Sequence, residues 1–274
     1  MTLIFYAMKK LLLGSILLLC FRICFASVDT VSIYSNSLHK QVKFVIVQPK
    51  QNKTAIPTVY LLHGYSGNYA GWVNLAPQLQ DKADLLQINI VCPDGANSWY
   101  YDSPIDSTIR YESYVIKDLV PYIDQHYPTI ADKSKRAITG LSMGGHGGLY
   151  LSIRHTDIFG AGGSTSGGVD IRPFPNNWEI KKALGEYEKN QSLWDSNTVM
   201  TLVEGLKNNQ LKIIVDCGLD DFFLKVNRSL HEKLQALKID HDYIERPGAH
   251  NAAYWKNSID YQLLFFKKYF DSKN

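Results

Sequence analysis

The residues that most clearly could do chemistry are Gly140-Leu141-Ser142-Met143-Gly144, a G-x-S-x-G arrangement. Glycine and serine are common, so the pattern gains meaning only from its surroundings. The apolar run Ala137–Thr139 ends directly at Gly140, and the small-residue run Gly144-Gly145-His146-Gly147-Gly148 follows. A strand, a sharp turn and a helix start together hold a serine in a strained, exposed position. The flanking glycines are needed because a Cβ there would collide with the neighbouring strand and helix. The helix N-terminus behind the serine favours developing negative charge. This context marks Ser142 as a nucleophile.

A serine hydroxyl is a weak nucleophile near neutral pH. It needs a histidine base, and that base needs an acid to fix its tautomer and stabilise the imidazolium. Where a serine sits on such a turn, the chain order is Ser, acid, His. Three histidines lie far enough along: His231, His241 and His250. His231 falls on the polar side of a helical pattern, and His241 sits among charges just before a strand. His250 follows a strand, in Pro247-Gly248-Ala249-His250, and directly precedes the last helix. That loop belongs to the carboxyl end of a sheet, where ligands bind in open α/β folds, so His250 is the expected base. His63 precedes the nucleophile in the chain and reads as structural.

The acid should end the strand before His250. Leu211–Val215 runs into Asp216-Cys217-Gly218-Leu219-Asp220-Asp221. Asp216 is still close to the strand and reads as structural, whereas Asp220 and Asp221 both lie in the loop. An oxyanion would need two backbone N–H donors. Met143, the residue after the nucleophile, supplies one. Tyr65 supplies the other, from the loop His63-Gly64-Tyr65 after the strand Thr58–Leu62, where Gly64 permits close backbone approach. There is no H-E-x-x-H, no Walker-type glycine-rich loop and no cysteine cluster with zinc spacing.

The elements that must position these residues are legible as patterns. Thr30–Tyr34 and Gln41–Val47, joined by a turn at Asn36–His39, read as a hairpin. Short apolar runs without alternation then recur at Thr58–Leu62, Leu86–Val91, Ala137–Thr139 and Leu211–Val215. Such runs suit strands covered on both faces. Helical stripes lie between them at Arg110–His126, Lys225–Leu237 and Asn251–Phe270. The expected fold is α/β, a mostly parallel central sheet with an antiparallel N-terminal hairpin and helices on both faces. Residues 167–198 are long for a connection and rich in Pro, Asn, Trp and charge, so they suggest a lid or pocket wall. The aromatic run Trp99-Tyr100-Tyr101 is a second candidate wall.

The chain has 274 residues, 45% hydrophobic, with a net charge of +3. That suits one large domain with a full core or at most two small ones, the motifs above favouring a single catalytic domain, and no charge run suggests a nucleic-acid partner. At the N-terminus, Lys9 and Lys10 precede the apolar run Leu11–Cys20, and Cys24-Phe25-Ala26 offers a small-x-small site. The pattern is that of a secretory signal peptide over 1–26, with Met8 as an alternative start and 27–274 as the mature domain. The run is too short to span a bilayer, and Arg22 interrupts it, so no stable membrane insertion is expected after cleavage. The mature chain keeps Cys92 and Cys217, both expected as buried free thiols.

With these residues in place, the chain resembles the esterase D-like group of α/β-hydrolases. That group includes feruloyl and acetyl-xylan esterases, S-formylglutathione hydrolases and mycolyltransferases. The resemblance rests on Val59-Tyr60-Leu61-Leu62-His63-Gly64 with Gly71-Trp72, on Gly140–Gly147, on Asp216–Leu224 and on Gly248-Ala249-His250. In the family the later aspartate of D-x-G-x-x-D-x-F-L is the acid, which selects Asp221. The resemblance implies the α/β-hydrolase fold, a Ser142-Asp221-His250 triad and no cofactor. The resemblance does not fix the substrate; taken with the N-terminal export pattern, it points to an exported, periplasmic or extracellular serine esterase acting on short acyl or aromatic esters of a small molecule or carbohydrate. Acyl transfer to a sugar or lipid is the enzymatic alternative, and an inactive binding protein on the same scaffold the non-enzymatic one.

Overall fold

The computed structural model describes residues 28–51 and 54–273. The export segment read at 1–26 lies outside them. Eight strands form one sheet: β1 (Val28–Ser35), β2 (Lys40–Val47), β3 (Thr58–Leu62), β4 (Asn89–Pro93), β5 (Arg136–Gly140), β6 (Ala161–Thr165), β7 (Lys212–Gly218) and β8 (His241–Arg246). Their order is β1-β2-β4-β3-β5-β6-β7-β8. β1 pairs antiparallel with β2, and β2 antiparallel with β4; every later pairing is parallel.

The helices, in chain order, are α1 (Gly71–Leu75), α2 (Leu79–Leu86), α3 (Tyr111–Ser113), α4 (Val120–His126), α5 (Met143–Arg154), α6 (Ile180–Leu184), α7 (Gln191–Ser196), α8 (Val199–Leu202), α9 (Leu224–Ala236) and α10 (Ala252–Asp271). A π-helical turn, Tyr114–Leu119, joins α3 to α4. None of the helices among the described residues is long and apolar enough to cross a membrane.

The unalternating strands follow from burial on both faces. Along β3, Tyr60 and Leu62 enter one hydrophobic core while Val59 and Leu61 enter another on the opposite face. In β2, Phe44 and Ile46 divide from Val45 and Val47 in the same way. Successive side chains point to opposite faces, so a strand between two helical layers must be apolar at every position.

Three elements depart from the expected bounds. β4 begins at Asn89, because Leu86 closes α2 and Gln87 caps it in a left-handed conformation. β7 runs on to Gly218, so Asp216 lies inside the strand. β6, Ala-Gly-Gly-Ser-Thr, has no apolar run to announce it. Its glycines are dictated by neighbours: a Cβ on Gly162 would lie 2.1 Å from Ser152 Oγ, and one on Gly163 2.2 Å from Gln262 Oε1. Cys92 and Cys217 are buried free thiols on β4 and β7, and burial pushes Cys92 up to about 12.

Residues 167–198 carry α6 and α7 and lead into α8, which packs against α5. Ile180, Leu184, Trp194 and Val199 join the core of the main sheet, and Trp194 Nε1 donates to the Gly185 carbonyl at 3.0 Å.

Candidate active site

Ser142 occupies the turn between β5 and α5 with φ 56° and ψ −115°. For a non-glycine residue this backbone is strained and persists only where its surroundings fix it. Its N–H donates to the Thr165 carbonyl of β6 at 3.0 Å, and its own carbonyl accepts from His146 at 3.0 Å and Gly168 at 3.3 Å. A Cβ on Gly140 would lie 2.5 Å from the Leu62 carbonyl oxygen, and one on Gly144 2.3 Å from it. The two glycines let the turn press against β3, which leaves the serine standing off the sheet edge.

His250 lies between β8 and α10. Its Nε2 is 2.9 Å from Ser142 Oγ, and its Nδ1 is 2.9 Å from Asp221 Oδ2 and 3.1 Å from Oδ1. Nδ1–H donating to the carboxylate leaves Nε2 free to accept the serine proton. Asn251 caps α10 by accepting the Tyr254 N–H at 3.1 Å, which starts the helix immediately after the histidine.

Asp221 is buried, and its Oδ1 also accepts the Phe223 N–H at 2.8 Å. The acid loop meets the histidine loop backbone to backbone: Asp220 N–H donates to the Gly248 carbonyl at 2.9 Å, and a Cβ on Gly218 would lie 2.3 Å from that same oxygen. The Asp220 side chain is exposed and caps no helix. Of the three carboxylates considered, the structure brings only Asp221 to His250.

The other histidines lie elsewhere. His231 Nδ1 pairs with His241 Nε2 at 2.7 Å, and the His231 ring stacks on Tyr243. His63 borders the site, but both ring nitrogens are engaged: Nε2 accepts from Gly95 N–H and Nδ1 donates to the Gly64 carbonyl, each at 2.8 Å. His146 is fully buried behind the serine, and that burial lowers its pKa to about 4, so it stays neutral.

Tyr65 and Met143 flank Ser142 from the β3–α1 loop and the start of α5. Among the described residues, neither N–H has a hydrogen-bond acceptor. Gly64 allows the approach, since a Cβ there would lie 2.5 Å from Leu141 Cδ1 and 3.4 Å from Ser142 Cβ. The loop is held from outside by Asn97 Oδ1, which accepts the Ser66 N–H at 2.8 Å. Burial, then the Glu179 carboxylate, raises the pKa of the Tyr65 phenol.

Ser142 and His250 open into a cleft of about 500 Å³. Trp178 of the 167–198 segment lines it, together with Phe222, Trp255, Trp72 and Leu75. The Phe222 ring is stacked on Trp178 with centroids 5.7 Å apart and lies 4.3 Å from the His250 ring. Trp178 and Glu179 have φ of 47° and 55°, and Trp99 Nε1 holds this kink by donating to the Trp178 carbonyl at 3.1 Å.

The expected wall Trp99-Tyr100-Tyr101 does not line the cleft. All three rings are buried. Tyr100 Oη donates to the His63 carbonyl at 3.1 Å, so the run supports the loops beneath the site. The sequence gives no cleft role to Phe222, to Trp255, which falls on the core-facing stripe of the last helix, or to Trp72, which enters only through the resemblance. Phe222 sits beside the acid and Trp255 five residues beyond His250, which is the only signal either offers.

The chain matches the model of the Esterase family, described as "Putative esterase", over residues 35–266. An acetyl esterase of Caldicellulosiruptor saccharolyticus is 26% identical over 251 residues, covering 84% of this chain and 94% of that protein. An endo-1,4-beta-xylanase/feruloyl esterase of Xylanibacter ruminicola is 33% identical over 215 residues, 70% of this chain but 27% of that longer protein. A solved structure of a ferulic acid esterase superposes with a TM-score of 0.75 at 26% identity, covering 88% of this chain and 98% of its own.

Proposed function

Because the chain belongs to the Esterase family of α/β-hydrolases and is a carboxylic ester hydrolase by that membership, we propose that it works as an exported serine esterase through an acyl-enzyme on Ser142. The observation that carries this reading is the continuous hydrogen-bonded line from Ser142 Oγ through His250 to Asp221 at the floor of an open cleft.

In the proposed reaction Ser142 Oγ attacks the ester carbonyl as its proton passes to His250 Nε2. Asp221 holds the Nδ1–H and stabilises the imidazolium. The carbonyl oxygen, now an alkoxide, sits against the Tyr65 and Met143 N–H groups and the N-terminus of α5. The tetrahedral intermediate collapses, His250 returns the proton to the leaving alcohol, and the acyl group stays on Ser142. Water, deprotonated by the same nitrogen, then releases the acid.

The substrates we propose are short acyl and aromatic esters, including those carried on carbohydrate. The aromatic lining at Trp178 and Phe222 supports this, as do the activities named for the acetyl and feruloyl esterase relatives. Export rests on the Lys9–Ala26 pattern, and the mature chain should begin at or near Ser27 by N-terminal sequencing. An uncut N-terminus retained in the cytosol would refute export.

The test is turnover of methyl ferulate, acetylated xylan, tributyrin and short and long nitrophenyl esters, with Ser142→Ala as control. Wild type should release product and form a fluorophosphonate adduct on Ser142. Turnover by Ser142→Ala within tenfold of wild type would end the acyl-enzyme reading.

A further inference from the structure

Behind the nucleophile lies a buried carboxylate that takes no part in the proposed proton transfers. Asp216 of β7 is wholly buried, and donors from three other elements converge on it. Thr165 Oγ1 of β6 donates to Oδ2 at 3.0 Å. Gln262 Nε2 of α10 donates to Oδ2 at 2.7 Å. On Oδ1, the Ser258 hydroxyl of α10 donates, and the Arg246 guanidinium at the end of β8 approaches to 3.4 Å. A buried carboxylate is costly unless its lone pairs are filled in this way.

Each donor belongs to a segment that holds part of the site. Thr165 is the residue whose carbonyl accepts the Ser142 N–H, and the next residue, Ser166, donates its N–H to the Asp216 carbonyl at 2.8 Å. Arg246 begins the segment Arg246-Pro247-Gly248-Ala249-His250, and its carbonyl accepts the Leu219 N–H of the acid loop at 2.9 Å. Its guanidinium also donates to Ser258 Oγ at 2.8 Å and Asn257 Oδ1 at 2.6 Å, and lies 4.1 Å from the Tyr261 ring centroid. Gln262 reaches further, accepting from Thr139 of β5 just before the nucleophile turn at 2.8 Å.

We propose that Asp216 is a positioning residue, whose carboxylate ties the Ser142 turn on one side and the His250 segment on the other, and so fixes the Ser142–His250 separation. The inference rests on the acyl-enzyme reading above. A bundle that served only to hold the sheet together would not need to engage the one β6 residue bonded to the nucleophile and the arginine that opens the base's loop. Neither Asp216 nor Thr165 lines the cleft, so loss of the tie should act on the chemical step and not on substrate binding.

The test begins with wild type on a short nitrophenyl ester and with fluorophosphonate labelling of Ser142. Failure there would fall on the acyl-enzyme reading, and success isolates the positioning question. Thr165→Val removes the hydroxyl but keeps the backbone and volume; Thr165→Ser restores the hydroxyl; Asp216→Asn removes the charge. Thr165→Val and Asp216→Asn should lower kcat by about 10- to 100-fold, the scale of a small misplacement of reacting groups. KM should stay within about twofold and Thr165→Ser should recover most of the loss, since geometry and not binding is what changes. If Asp216→Asn does not fold, the Val and Ser variants of Thr165 decide alone. Wild-type kcat in folded Thr165→Val overturns the proposal, as does a loss that Thr165→Ser fails to recover.

Discussion

Asp221 Oδ2 lies 2.9 Å from His250 Nδ1, while the neighbouring Asp220 turns its side chain to solvent. One backbone step separates two carboxylates of the same chemistry into different environments. Asp221→Asn should therefore leave the fold intact and cost up to about 10⁴ in kcat, because the amide no longer fixes the productive tautomer or the imidazolium. Asp220→Asn should change kcat by less than about threefold, since surface substitutions away from partners are usually near neutral. Steady-state kinetics on one nitrophenyl ester compares the two directly. Comparable losses in both variants would remove Asp221 from its assigned role.

The nucleophile turn makes a prediction about glycine. A Cβ on Gly144 would sit 2.3 Å from the Leu62 carbonyl oxygen and 2.6 Å from that of His63, both backbone atoms of β3 and its loop. Gly144→Ala should cost about 3 kcal/mol, at the upper end for overpacking, and should slow fluorophosphonate labelling of Ser142 in the protein that still folds. Gly205 has nothing within 4 Å of its ideal Cβ. Gly205→Ala should stay within about 0.5 kcal/mol of wild type by denaturant unfolding.

Much of this arrangement was legible in the chain because the signals were local. The Gly140–Gly144 turn, the histidine opening the last helix and the apolar runs of β3 and β5 are each defined by residues within a few positions. What stayed hidden depends on partners far away in sequence. β6 is written in glycines because Ser152 and Gln262 occupy the space where side chains would be. Trp99-Tyr100-Tyr101 lies in the loop after β4 as expected, yet its rings turn inward against His146, Tyr150 and the His63 carbonyl. Position at the active edge of a sheet does not dictate which way a side chain points. The Asp216 cluster draws on residues up to 51 positions from the aspartate, beyond any periodicity.

A second buried carboxylate gives a pH signature. Glu112 accepts from His155 at 2.7 Å, Arg154 at 2.8 Å and Tyr150 at 3.0 Å. Burial raises its pKa, but these bonds outweigh that and leave it below the usual carboxylate range. A group whose pKa is depressed on folding adds stability above its unfolded value, about 4.3 for glutamate, and loses it as pH falls through the folded value. Glu112→Gln should thus be less stable than wild type by about 3 kcal/mol at pH 7. Thermal unfolding across pH should show the gap narrowing as the pH drops below about 4.3, and a gap independent of pH would contradict the assignment.

The cleft walls separate selectivity from support. Trp178 and Phe222 stack at the mouth, and Phe222 is exposed and lies against the His250 ring, so a bound acyl or alcohol group beside His250 must meet it. Planar groups gain most from such surfaces, since aromatic pairs add about 0.5–1.5 kcal/mol beyond area burial. Phe222→Ala should therefore lower kcat/KM for methyl ferulate about tenfold more than for tributyrin, which carries no planar ring, with little change in Tm. Tyr100 is wholly buried, and its hydroxyl bonds the His63 carbonyl. Tyr100→Ala should cost about 3–5 kcal/mol, as for other large buried aromatics, and should depress every ester alike, because it loosens the loop that carries the Tyr65 N–H. Measuring both variants on both esters gives four rates. A ratio shifted by Tyr100→Ala but not by Phe222→Ala would reverse the assignment of wall and support.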